Sequence, residues 1–268
     1  MSDIFSKIRF IVKQKNKPYY ESSAITGMIP KLYFKTEEKK VIIRDIRKSK
    51  KFMLNKNGFT LKKMKFNIQE NDFKNNYEHY KHVLSRFLKK IIPFKHVEIF
   101  DITKRSNKKS GALNKDGPRQ PAERAHVDYT IHSGPLRAKQ ILEKNFSKNF
   151  YKYRIIQLNI WKPLSSIVLS SPLAIADASS ISLKDLVATD QIFPDRVGEI
   201  YHLAYNKGQK WYWVSEMQDN EVLIFKGWDS TNSNKVVKFT PHTSFNLKNQ
   251  NIEKDPRESI EARAFLIL

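Results

Sequence analysis

Pro256-Arg257-Glu258-Ser259-Ile260-Glu261-Ala262-Arg263-Ala264-Phe265 changes character at nearly every residue. In an extended chain successive side chains point to opposite faces. Arg257, Ser259, Glu261 and Arg263 then share one face, and Ile260, Ala262, Ala264 and Leu266 share the other. The apolar face is core. The polar face would turn arginines into the space between two sheets, where a guanidinium is costly unless an anion meets it. Two partners are open: a bound dicarboxylate, whose carboxylate matches the guanidinium fork, or Glu261 in a purely structural network.

Working back from this strand, residues 153–161, 167–176, 199–205, 210–214, 221–228 and 236–239 also read as short strands between turn signals. A helix is expected near 135–146. Seven short strands of this kind predict a mainly β protein with flanking helices, a double-stranded β-helix or jelly roll. Further upstream, apolar residues at three- and four-residue spacing over 72–92 predict an amphipathic helix, ended by Pro93. A strand over 97–101 follows. Residues 104–121, basic and rich in Gly, Asn and Pro, read as a loop or lid bordering a site. Residues 31–66, with Asn57-Gly58 as a turn, read as a small exposed hairpin layer. The expected organisation is one domain over 1–268: a basic hairpin and helix layer over 1–95 and a jelly-roll core over 96–268.

Composition narrows the chemistry. With no cysteine among 268 residues, a disulfide, an iron–sulfur cluster and a cysteine zinc site are excluded, so a metal must be held by histidine, carboxylate and water. No apolar run approaches the roughly 18–20 residues that span a bilayer, and the first residues lack a signal-peptide core. A cytoplasmic protein without a membrane partner is the expectation. The net charge of +22 is concentrated at the front: residues 1–125 carry 31 Lys and Arg against 12 Asp and Glu, and residues 126–268 carry 18 against 15. Such an excess reads as a solvated basic face or as the mark of an anionic partner.

His126-Val127-Asp128 opens the β-rich part. In an extended segment the imidazole and the carboxylate, two residues apart, converge on one ion. His242, in Pro241-His242-Thr243, is a candidate third ligand from a distant strand. Two histidines and a carboxylate form a facial triad that leaves three positions open on Fe(II). His79, His82, His96, His132 and His202 are not expected as ligands.

His126-Val127-Asp128-Tyr129-Thr130, Leu158-Asn159-Ile160-Trp161-Lys162-Pro163-Leu164, Ser171-Pro172-Leu173-Ala174, Asp219-Asn220-Glu221-Val222-Leu223-Ile224-Phe225-Lys226, His242-Thr243-Ser244-Phe245 and the final strand resemble, in order, the hydroxylase/desaturase family of Fe(II)/2-oxoglutarate-dependent oxygenases. The resemblance covers roughly 96–268. It implies a double-stranded β-helix that uses Fe(II) and the co-substrate 2-oxoglutarate, with dioxygen, to oxidise C–H bonds of a small organic substrate. The family's metal motif falls on His126, Asp128 and His242, and its arginine motif on Arg257 and Arg263. Arg257-Glu258-Ser259 looks like an Arg-x-Ser grip on the distal carboxylate, which favours Arg257 with Ser259. Asn159 is a further candidate for the oxo-acid, and Trp161 and Tyr129 are candidate walls of the substrate pocket. Lys162 stands where the family usually has arginine; it keeps the charge but loses the fork.

Two rival readings follow from the residues. One is a nucleic-acid or anionic-surface binding protein on an inactive jelly-roll scaffold, supported by the N-terminal charge but lacking interleaved stacking aromatics. The other is a zinc hydrolase with the same ligands, which leaves the last strand's arginines unexplained.

Overall fold

The computed structural model describes residues 3–27, 29–48, 51–66 and 77–268. Its strands, in chain order, are β1 (Ile4–Ile11), β2 (Tyr19–Glu21), β3 (Lys31–Leu32), β4 (Thr36–Asp45), β5 (Phe59–Lys63), β6 (His96–Ser106), β7 (Ala112–Asn114), β8 (Gly117–Arg119), β9 (His126–Val127), β10 (Ile155–Pro163), β11 (Leu173–Ala176), β12 (Leu186–Ile192), β13 (Val197–Leu203), β14 (Trp211–Trp213), β15 (Glu221–Asp229), β16 (His242–Ser244) and β17 (Glu258–Ile267). Among the described residues three α-helices accompany them: α1 (Ser23–Thr26), α2 (Glu78–Lys89) and α3 (Ser133–Asn145). One sheet runs β1-β4-β14-β11-β16-β9-β13-β12-β2-β3 and the other β5-β15-β10-β17-β6, with β7-β8 as a separate hairpin.

The five-stranded sheet is covered on both faces, which is why every residue of β10 and β15 is buried. Leu158 and Ile160 of β10 join Ile260, Ala262, Ala264 and Leu266 of β17 in one apolar layer. Against that layer α2 lays Tyr80, Leu84 and Leu88, spaced four residues apart so that they fall on one helical face. The first part of the expected 72–92 helix, Phe73 included, lies outside the described residues. The opposite face of the sheet carries Gln157, Asn159 and Trp161 from β10 and Glu261, Arg263 and Phe265 from β17, with Asn159 directly across from Arg263. The alternation of the last strand thus separates core from site as its sequence implies. Ala138 and Leu142 of α3 pack with Val127, Trp228 and Phe265 at one end of this inner space.

The N-terminal residues depart from the expected exposed hairpin layer. β4 pairs antiparallel with β1 and parallel with β14, whereas β5 pairs with β15 in the other sheet. Ile8, Phe10 and Ile43 are buried with Trp211 and Trp213, so burial of these apolar residues draws the segments into the two main sheets. Asn57-Gly58 is a turn, but it is packed inside. Gly58 has φ +84, where a side chain is strained, and its carbonyl accepts bonds from Lys226 N and Thr240 Oγ1.

Other expectations shift in register. The strand expected over 167–176 forms only at β11, residues 236–239 form no strand, and β12 was not anticipated. The expected 104–121 loop begins inside β6, which runs on to Ser106, and it folds into the β7-β8 hairpin.

Candidate metal and oxo-acid site

β9 lies between β16 and β13, and His126 is the register partner of His242. This pairing brings together residues 116 positions apart and sets their rings 4.4 Å centroid to centroid. One ligand atom from each of His126, Asp128 and His242 lies within 4.8 Å of the others, and His126 Nε2 is 3.6 Å from Asp128 Oδ1.

Each donor is aimed by a neighbour. His126 Nδ1 is 2.7 Å from Arg124 O, and His242 Nδ1 is 3.2 Å from Thr240 O. A carbonyl only accepts, so Nδ1 carries the proton in both rings and the Nε2 lone pair is left for a metal. Asp128 Oδ2 accepts from Asn159 Nδ2 and, at 3.3 Å, from Arg263 Nε. Oδ1 remains on the side of His126. Burial, with His242 beside it, pushes the His126 pKa down to about 3, and burial also lowers that of His242. Burial alone would raise the Asp128 carboxyl, but Arg263, the two histidines and Asn159 hold it well below the usual carboxylate range. At neutral pH the three ligands therefore stand in the protonation states a divalent cation needs.

The two candidate arginines have different partners. Arg263 is encircled by carboxylates: Nη1 is 2.6 Å from Asp101 Oδ2, Nε 3.3 Å from Asp128 Oδ2 and Nη2 2.6 Å from Glu261 Oε1. The last contact is an ion pair without hydrogen-bonding alignment, since Glu261 Oε1 has no hydrogen-bond partner among the described residues. Arg257 has no carboxylate within ion-pair distance among the described residues. Its Nη1 donates to Ser171 O at 2.6 Å and lies 3.5 Å from Ser244 Oγ, its guanidinium sits 5.6 Å from the Trp161 ring centroid, and its buried Nε is unpartnered. Burial, with Arg105 nearby, pulls its pKa down to about 9. Burial pushes the Glu261 carboxyl up, against the pull of Arg263.

Arg257, Trp161, His242, Ser244 and Glu261 line a narrow cleft of about 20 Å³, room for roughly one water-sized group. Arg105, Ala122, His126 and Arg263 belong both to this cleft and to a cavity of about 1180 Å³ beyond the triad. Tyr129 lines the larger cavity. Asn159 donates to Asp128 Oδ2 and accepts from Gln157 Nε2 at 2.7 Å, and it is absent from both linings. Ser259 is buried opposite Arg105 and Pro163 and is absent from both linings.

Several residues of the site escaped the sequence reading. Asp101, Thr103 and Arg105 share a face of β6 by the same period-two rule, a pattern hidden because the strand was expected to end at 101. Tyr20, on the three-residue β2, carries no local signal beyond its aromaticity.

A family model described as an oxidoreductase/YMDC permease-like domain matches residues 8–267. Among curated proteins, the chain is 27% identical to a hydroxylase/desaturase of Hormonema carpetanum over 90% of this chain and 87% of that protein. It is 33% identical to an alpha-ketoglutarate-dependent dioxygenase of Talaromyces stipitatus over 55% of this chain and 53% of that one. A solved structure of the iron and alpha-ketoglutarate-dependent endoperoxidase NvfI superposes with a TM-score of 0.85 at 24% identity, covering 99% of this chain and 98% of that chain. That likeness establishes the jelly-roll fold.

Proposed function

The chain belongs to the family described as an oxidoreductase/YMDC permease-like domain, and from that premise we propose that it is an Fe(II)/2-oxoglutarate-dependent oxygenase acting on a small organic molecule. In this reading it hydroxylates, desaturates or cyclises its substrate within one oxygenase domain spanning 1–268. The observation that carries it is the convergence of His126, Asp128 and His242 within 4.8 Å, beside a buried arginine that has no carboxylate partner among the described residues.

The donor set suits the cation. Two neutral imidazoles and one carboxylate occupy one side of an ion and leave the other side to co-substrate and dioxygen. When bound, Fe(II) with 2-oxoglutarate and dioxygen supplies the oxidising power that removes a hydrogen from an unactivated carbon. The protein's part is placement. Arg124 O and Thr240 O fix the tautomers, and Asn159 and Arg263 turn Asp128 so that Oδ1 faces the histidines.

Arg257 is the residue we assign to the distal carboxylate of the oxo-acid. Its free Nε and its compensation by Ser171 O and Ser244 Oγ alone leave a cation that a carboxylate would neutralise through a charge-assisted bond. The cleft at Arg257 is tight, so an oxo-acid reaching it must widen it. Trp161 lies over the guanidinium and walls the cleft on that side. Arg263, with its three carboxylates, serves the metal ligand instead.

No helix among the described residues is long and apolar enough to cross a membrane. The deciding experiment is anaerobic addition of Fe(II) and then 2-oxoglutarate while watching for the weak visible charge-transfer band of the chelate. The band, with succinate released when oxygen is admitted, is the expected result. Tight zinc binding without that band would favour the hydrolase reading, and salt-dependent nucleic-acid binding without metal would favour the inactive scaffold.

A further inference from the structure

The cavity of about 1180 Å³ beyond the triad has a charge balance that the triad and Arg257 do not explain. Six carboxylates stand on its wall and each already has a cationic partner. Asp101 and Asp128 are taken by Arg263, Asp116 by Arg119, Glu123 by Arg9, and Asp190 and Glu199 by Lys17. Three guanidiniums on the same wall have no carboxylate within ion-pair distance among the described residues: Arg137, which donates to Gln140 Oε1 at 3.2 Å and lies over the Phe100 ring, Arg105 and Arg124. Arg105, on the inner face of β6, donates Nη1 to Gln120 O at 2.7 Å, and among the described residues no carboxylate lies within ion-pair distance of it. Arg124 sits with its guanidinium 5.5 Å from the Tyr20 ring centroid, its buried Nε unpartnered, and it too lacks a carboxylate partner among the described residues.

Tyr20 joins these groups. β2 reaches the site because it pairs in parallel with β12, with Tyr20 opposite Gln191. The phenol lines the cavity, and the charges acting on it are those of Arg124, Asp128, Arg119 and Arg105. It shares the cavity wall with Arg105 and Arg124 and with His126 and Asp128. Burial opposes the charge of both arginines, and a buried cation without a counter-ion is tolerated where a ligand supplies one.

We infer that the primary substrate is a carboxylic acid, and that its carboxylate is held by Arg105 with the Tyr20 hydroxyl and Arg124 at its edge. A guanidinium fork suits a carboxylate, and the size of the cavity leaves room for an organic skeleton between this group and the triad. This gives the basic N-terminal part a functional share, since Tyr20, Arg105 and Arg124 all precede His126. Calling the ligand a substrate rests on the oxygenase reading; the anion site itself rests on cavity-lining guanidiniums that no carboxylate contacts among the described residues.

The same chemistry could be offered by 2-oxoglutarate, so the test separates the two. Protein loaded with Mn(II) and 2-oxoglutarate is titrated with benzoic, phenylacetic and decalin carboxylic acids and with the methyl ester and primary amide of each, read by ligand-observed NMR. Wild type should bind the acids at least about tenfold more tightly than their esters. Arg105→Met should erase that preference and Arg105→Lys should keep part of it; because Arg105 also borders the Arg257 cleft, 2-oxoglutarate affinity should fall in both, but by far less than the roughly 30-fold or more expected of Arg257→Ala. Ligand-free Arg105→Met should melt no lower than wild type, because it loses an uncompensated cation. Acids bound no better than esters, binding of neither included, would overturn the inference. So would a loss of 2-oxoglutarate in Arg105→Met as large as in Arg257→Ala, which would give the guanidinium to the co-substrate, or a melt several degrees lower, which would make it structural. Wild type that keeps the acid preference yet takes up neither Mn(II) nor 2-oxoglutarate would uphold the anion site and remove the oxygenase reading alone.

Discussion

Replacing Arg257 by alanine distinguishes a guanidinium kept for a ligand from one kept for the fold. Arg257 is 2% exposed, has no carboxylate partner among the described residues, and is compensated only by Ser171 O and Ser244 Oγ. If its partner is the distal carboxylate of 2-oxoglutarate, truncation leaves that carboxylate unpaired in a narrow, buried cleft. Removing one member of such a pair costs about 2–5 kcal/mol, and at about 1.4 kcal/mol per tenfold this is roughly 30-fold to several-thousand-fold in affinity. The folded protein without ligand should lose little stability, because the variant sheds a buried cation while leaving no carboxylate orphaned. Titrating 2-oxoglutarate into the Mn(II) protein and melting the ligand-free protein give the two readouts. Arg263→Ala should behave in the opposite way. It strips Asp101, Asp128 and Glu261 of their shared cation, so it should lower the melting temperature and weaken the metal before it touches the oxo-acid. Equal 2-oxoglutarate affinity in Arg257→Ala and wild type, or a loss confined to Arg263→Ala, would refute the assignment.

His126→Ala, Asp128→Ala and His242→Ala should each abolish 2-oxoglutarate turnover with the fold retained, since ligands that act as a unit do not give graded losses; iron stoichiometry and circular dichroism check this. Gly58→Ala should destabilise by about 1–3 kcal/mol, because a Cβ there would collide with Thr240 Oγ1 and come within 2.9 Å of Ala178 Cβ at a φ of +84. Since Thr240 O orients His242, Gly58→Ala should also weaken Mn(II) binding, whereas unchanged melting and metal affinity would show that the turn yields freely. Asp229 is buried between Arg154 and Lys226, at 2.7 and 2.6 Å. Burial alone would raise its carboxyl, but these two cations hold it below the usual range. A depressed carboxyl stabilises above its unfolded value near 3.9 and loses that contribution as pH falls through the folded value. Denaturant melts at pH 7 and pH 3 should show that Asp229→Asn costs about 3–5 kcal/mol at pH 7, where Lys226 is left uncompensated, and distinctly less at pH 3.

Side-chain direction is a local property, fixed by the φ and ψ of the residue itself, and where it governs the outcome the sequence suffices. The faces of 257–266, the convergence of His126 with Asp128 two residues on, and the buried stripe Tyr80, Leu84, Leu88 all follow from periods of two and 3.6. The absence of cysteine likewise excludes any thiolate metal site, whatever the fold. Pairing is different, because it depends on which distant strand lies alongside and in what register. Only the tertiary structure set His242 opposite His126 across β9 and β16, and drew β1, β2, β4 and β5 into the two main sheets. It also divided the charges. Arg257 and Arg263 are alike in the alternation of one segment, yet β6 and the residue just after β9 supply carboxylates to Arg263 while no described neighbour supplies one to Arg257. A charged group's role is decided by the counter-charge that folding brings to it, and that neighbour comes from another strand.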